Sequence, residues 1–451
     1  MAVDIFADTT TGDDTNTGTE SSPLKTVSAG VTALAASSGA SSLSLRRGET
    51  FPVGTPITEA GEGAAWTIKA YGPGTPPLLD GGASAEAIFN WNNSNPDGWS
   101  FQDLKFTNAL AGKSAFRCQG TGALDNMTWL QCSFLDCGNG IWESGSGTGT
   151  VNLVDSCKFD STFGDDVSIS GSSIEVVHGF HKDTGRALTT AGVGDALTAH
   201  GAGTMNAHEM IFDGCHRIMY LFNTSSANHT LHHFHAKISH VSGAIHTAPY
   251  VIANDTGTGA LDVYNGSIIV DSDVATWVVY CNAVALTARH LTIINRSTKV
   301  VATNDASVNF VALTASGDMT VKSCASTVDN TALHGAALLS GTFTGDSNLY
   351  STGTVWFDGT DTPITFAAWK ALVPVTETVG STQGAVGLEN DAGNEIWDMR
   401  PTSTSDLRDN GTDETADYTD DYIGHARPAA SDIGAQQYFA PSIPIITTGL
   451  K

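Results

Sequence analysis

An all-β solenoid, a right-handed single-stranded parallel β-helix with an N-terminal capping helix and a C-terminal cap, is the fold this sequence predicts, and three observations predict it. The first is recurrence. Between Met127 and Asn282 the chain repeats one unit: a short apolar strand, a kink, a second short strand and a polar Gly/Ser/Thr turn. Phe106, Phe134 and Phe159 recur at steps of 28 and 25 residues, the spacing of repeats that bury one another's apolar faces. The second is composition, since 48 glycines and only 15% charged residues suit short strands and tight turns better than long surface helices. The third is cysteine usage. The seven cysteines form no C-x-x-C pair, and Cys132 and Cys157 stand at matching places just before Phe134 and Phe159, as small buried residues of a stack would.

The elements follow in order. Residues 1–40 hold an opening strand (Val3 to Phe6) and an amphipathic helix. Ser22 is its expected N-cap and Pro23 its first residue, with Leu24, Val27, Val31 and Leu34 on one face to cover the open end of the core. Residues 41–340 form the coils. Leu43 to Glu49 and Trp66 to Gly72 are the first coil strands. The triplets Leu104-Lys105-Phe106, Cys132-Ser133-Phe134, Cys157-Lys158-Phe159, Met210-Ile211-Phe212, Gly266-Ser267-Ile268 and Leu291-Thr292-Ile293 then occupy equivalent places. Strand alternation turns the outer members of each triplet inward and the middle one outward. Less regular rungs are expected at Val177 to Phe180 and near Ile238. Residues 341–451 read as terminal coils and a cap, with an acidic, solvated loop from Asp406 to Asp421.

Charge narrows the function classes. With 21 basic and 47 acidic side chains the formal net charge is −26, which repels nucleic-acid phosphates and anionic membranes, so neither is an expected partner. The N-terminus, MAVDIFADTTTGDD, has neither a basic nor an apolar leader region, and no apolar run reaches membrane-spanning length. A soluble chain is the expectation.

A parallel β-helix presents rows of outward side chains that suit a linear polymer. The segments Gly164 to Ser170 and Gly194 to His200 both begin Gly-Asp and both alternate, which predicts Val167, Ile169, Leu197 and Ala199 inside and Asp166, Ser168, Ser170, Thr198 and His200 outside. Asp165, Asp166 and Asp195, with His200, form the expected catalytic set. Glycoside hydrolysis needs one protonated and one ionised carboxyl across the scissile bond, and neighbouring carboxylates raise one another's pKa. Trp142, Lys182, Arg217, Tyr220 and His246 are the expected substrate-binding residues on the same strip. A rival reading is β-elimination on a uronic acid polymer, with a base drawn from His200, Lys182, Arg217 or Tyr220. Calcium would then sit on the three Asp residues; the hydrolase reading requires no cofactor. A third reading is a non-catalytic glycan-binding fibre. The tract His229 to His235, with His240 and His246, lacks H-E-x-x-H, and alternation splits His232 from His233 and His235, so no zinc site is expected.

Three stretches, GTESSPLKTVSAGV from Gly18, LSLRRGETF from Leu43 and ARPAASDIGAQQY from Ala426, together resemble the right-handed parallel β-helix proteins of bacteria and phages. That group includes pectate-lyase-like enzymes and tailspike-type polysaccharide depolymerases. The Gly164-Asp165-Asp166 sequence is also similar to the paired-Asp motif of polygalacturonase-type hydrolases. The resemblance implies an endo-acting depolymerase of a bacterial or algal extracellular polysaccharide. It also implies an extracellular or virion-tail location, and a homotrimer for a tailspike.

Overall fold

The computed structural model describes residues 4–37, 42–58, 65–82, 86–108, 113–184, 194–224, 227–240, 250–272, 276–282, 285–297, 308–312, 317–328, 334–338, 341–351, 355–357, 363–372, 375–377, 380–388, 399–408, 410–411, 420–421, 426–427 and 432–436. Among them the strands form two sheets, one of 23 and one of 12 strands, and the pairing in both is parallel except at the last strand of the smaller sheet, Pro363–Ile364, which runs antiparallel to Val355–Phe357. Each coil gives two strands to the larger sheet and one to the smaller, as in Thr128–Leu130, Ser133–Leu135 and Asn139–Glu143. From Met205 to Asn295 the first two merge into single long strands, Met205–Cys215, Asn228–His240, Ala260–Ser272 and Ala285–Asn295, and beyond them they separate again, as in Asp318–Lys322 and Ala325–Val328.

The kink between those two strands has one repeated cause. Gln131, Ser156, His178, Glu209, His233, Asn265, His290, Ser323 and Ser347 stand one per coil, all with φ between 47° and 57°. This left-handed conformation costs a residue with a Cβ about 1–2 kcal/mol, so the stacked coils must hold it in place. It reverses the alternation at one point and lets both flanking strands face the same core.

The predicted ladder is in register. Phe106 pairs with Phe134 and Phe134 with Phe159, their rings stacked at 5.3 and 4.5 Å. The next rung is Gly179-Phe180-His181 rather than Val177 to Phe180. His181 takes the inside place, its ring 4.8 Å from Phe159 and 5.2 Å from Phe212. The rung expected near Ile238 is Phe234-His235-Ala236, in register with Gly266-Ser267-Ile268. In both places the left-handed residue, His178 or His233, displaces the pattern from simple alternation. His232 and His233, expected on opposite faces, therefore lie side by side with their Nδ1 atoms 2.7 Å apart. All seven cysteines are buried and free, as the stack required.

The N-terminal helix, Val27–Ala36, starts four residues later than expected. Leu24 is held extended by its N–H bond to Phe6 O (2.9 Å), and Thr26 is the N-cap, its hydroxyl accepting from Ala29 N at 3.1 Å. Its apolar face is the predicted one, with Leu24, Val27, Val31 and Leu34 all buried.

Past the coils the chain runs back over the outside of the larger sheet. Val386, Leu388, Met399, Leu407 and Ile433 cover Ile269, Ile294, Ala325 and Leu349, which point away from the interior. Arg427, 6% exposed, fastens this tail. Its Nη1 donates to His290 Nδ1 and its Nη2 to Asn265 Oδ1, both at 2.9 Å. The stretch from Asp406 to Asp421 is thus not simply solvated, since Leu407 and Asp421 are both buried. It also explains why Ser267 and Thr292, middle members of their triplets, are buried while Lys105 and Lys158 are not.

Candidate active site

The outward face of the 12-stranded sheet carries three rows. Register places Asn139, Asp165, Asp195, Arg217, Tyr250 and Trp277 in the first, and Arg117, Trp142, Ser168, Thr198, Tyr220, Ala253 and Tyr280 in the second. Ser170, His200, Phe222, Asp255 and Asn282 follow in the third. Between the rows, Ile141, Val167, Leu197, Met219, Ile252 and Val279 point inward and are fully buried, so the core fixes which side chains face out.

Asp165 and Asp195 are register neighbours on adjacent coils, joined by an Asp195 N–H bond to Asp165 Oδ1 of 3.1 Å. Arg217, one coil further, grips Asp195 with both sides of its fork: Nε donates to Oδ1, and Nη2 donates to Oδ2 at 3.1 Å. Thr198 Oγ1 donates to the same Oδ2 at 3.2 Å. The guanidinium also lies 4.1 Å from the centroid of the Tyr220 ring, and the Tyr220 hydroxyl donates to Asp255 Oδ2 at 2.7 Å.

The electrostatics divide the pair. Burial, and then the negative charge of Asp195, push the Asp165 carboxyl up to about 8. Burial raises Asp195 as well, but Arg217 opposes that rise by charge and by hydrogen bonding. A proton shared between them therefore favours Asp165, while the guanidinium favours the charged form of Asp195.

Asp166, expected outside in this set, points into the coil. It is fully buried and receives hydrogen bonds from the hydroxyls of Thr162 and Thr184, the latter at 2.6 Å; His181 Nδ1 lies 2.6 Å from its Oδ2. The reason is the corner. The strand begins only at Val167, so alternation does not extend back to Asp166, and the equivalent pair Ala196 and Leu197 are likewise both buried.

Lys182 is displaced further. Its strand, Phe180–Lys182, belongs to the larger sheet, where it pairs with Asp160 and Asp213 on neighbouring coils, so it stands outside the strip. His200 lies in the third row, five residues along its strand from Asp195. That is about 16 Å at the usual rise, too far to share a proton with the pair. Burial lowers its pKa and keeps the imidazole neutral. Trp142 keeps its place in the second row, partly exposed, with the Arg117 guanidinium 5.0 Å from its ring centroid. His246 lies outside the described residues.

The three Asp residues do not fit a calcium ion: Asp166 is turned inside, and both oxygens of Asp195 are engaged by Arg217. Among the described residues no group of three His, Cys, Asp or Glu side chains is placed to hold a metal, and no helix is long and apolar enough to cross a membrane.

Sequence reasoning missed Tyr250, Asp255, Trp277 and Tyr280. Their signal was available in the strand Trp277–Cys281, which stands one coil step after Tyr250–Asn254, as the earlier rungs follow one another.

Solved structures share this fold. The complex of XylC with xylose matches 97% of this chain and 98% of its own, with a TM-score of 0.61 at 8% identity. Pectate lyase Pel9A matches 97% of each chain, with a TM-score of 0.54 at 13% identity. The chain spans 64% of the length of a GH136 lacto-N-biosidase from Eubacterium ramulus, at 12% identity and a TM-score of 0.41. No protein-family model and no curated protein matches the sequence.

Proposed function

From a parallel β-helix fold shared with pectate lyase Pel9A, we propose that this protein is a polysaccharide depolymerase that hydrolyses glycosidic bonds along the outward face of its smaller sheet. The observation that carries this reading is the Asp165–Asp195 pair, two register neighbours driven to opposite protonation states by Arg217 and by burial. Asp165 donates its proton to the departing glycosidic oxygen. Asp195, held ionised, stabilises the cationic sugar or takes the proton of the attacking water. Arg217 fixes the orientation of Asp195 and keeps the proton off it, so it is a positioning residue.

A carboxylic acid poised near neutral pH serves leaving-group protonation. Proton abstraction next to a uronate calls instead for a base with a cation over the acid group, and the guanidinium here is already occupied on Asp195. The test is product analysis on a panel of neutral and acidic polysaccharides, scoring new reducing ends together with ultraviolet absorbance. Reducing ends without absorbance are expected. Absorbing, unsaturated products would mean a lyase, and binding without any chain shortening would mean a fibre protein.

A further inference from the structure

At the far end of the strip lies an aromatic group that the acid pair does not use. Tyr250 and Tyr280 stack at 4.2 Å and 9°, and Trp277 leans on them at 5.7 and 5.5 Å. Trp277 and Tyr250 are partly exposed on the outward face, while the core beneath is already filled by Ile252 and Val279. An indole held rigid by two phenol rings, with part of its surface left in water, is what stacking on the apolar face of a sugar ring requires. Polar groups stand beside it: Asp255 accepts from Tyr220 Oη at 2.7 Å and from Asn282 Nδ2 at 3.1 Å. Further along the second row the Ser168 hydroxyl is fully buried and, among the described residues, has no hydrogen-bond partner.

Charge selects among sugars. The Arg and Lys side chains of these three rows, among the described residues, are Arg117 and Arg217, and each is paired with a carboxylate, Glu86 or Asp195. A uronate at the aromatic end would face Asp255 with no unpaired cation in the rows to offset it.

We propose that Tyr250 and Trp277, backed by the buried Tyr280 ring, form a binding subsite for an uncharged pyranose of the polysaccharide, with Trp277 three coils, or about 14 Å, from Asp195. This rests on the hydrolase reading and names its substrate class, a neutral glycan whose chain crosses several coils. Isothermal titration of the Asp165→Asn protein with xylohexaose, cellohexaose, laminarihexaose and hexagalacturonate tests it. At least one neutral hexasaccharide binds, Trp277→Ala in that background weakens it about tenfold or more, and Trp277→Phe recovers part of the loss. Binding confined to hexagalacturonate, binding by none of the neutral sugars, or an affinity unchanged in Trp277→Ala overturns the proposal. Failure of the acid pair is separate: Asp165→Asn would then keep its cleavage activity whatever Trp277 does to binding.

Discussion

Asp165 and Asp166 are neighbours in the chain with opposite surroundings. Asp165 lies on the outer face beside another carboxylate and keeps its proton; Asp166 turns into the coil, where two threonines and His181 surround it. A bend of one residue separates a group free to meet a polymer from a group that can only hold two coils together. The lesson is that chemistry in a solenoid is assigned by the corner as much as by the residue type.

Substitutions can break that contrast. The largest effect is expected on catalysis: Asp165→Asn lowers kcat about 10²–10⁴-fold while leaving the urea midpoint nearly unchanged, and Asp195→Asn lowers kcat as much but also lowers the urea midpoint, because it leaves the buried Arg217 without its charged partner. Asp166→Ala should do the reverse of Asp165→Asn. Loss of a buried partner from His181 costs about 3–5 kcal/mol by urea unfolding, with the protein that remains folded still active. Equal loss of activity in Asp166→Ala at full stability would erase the distinction.

The pH profile sharpens it next. Asp165 must be protonated to act, so activity holds at neutral pH and falls as pH rises through about 8. Stability follows the same sign. A carboxyl raised in the folded state from its ordinary 3.8 favours folding most below that value, and the contribution is lost as pH climbs towards about 8. A rate profile flat from neutrality to pH 9 would remove Asp165 from the acid role. The smallest effect belongs to the support of Asp166: Thr184→Val should cost about 1.5–3 kcal/mol and leave the pH profile in place.

Much of the fold was legible because stacking repeats its own signature. Phe106, Phe134 and Phe159 must align to fill one column, and Cys132 and Cys157 fit where space is small. The site was less legible, for two physical reasons. Period-two alternation was carried across a bend where it does not apply, which put Asp166 outside. And a β-helix has two outward sheets, which the sequence does not label, so Lys182 was assigned to the wrong one. Arg217 and Tyr220 could be read because they share a strand in register with Asp195 and Thr198. Asp255 required knowing that the Tyr220 hydroxyl reaches across a coil.

The C-terminal tail has a consequence for synthesis. Arg427 is 162 residues from Asn265, the partner it fastens to, so the tail can dock only after the coils beneath it have stacked. Until then a growing chain carries Ile269, Ile294, Ala325 and Leu349 bare along one flank. Docking is therefore the last event of folding. A chain that stops short of residue 386 lacks all five covering side chains and keeps a sticky aliphatic stripe on an otherwise finished solenoid, and it will self-associate where the full-length protein does not.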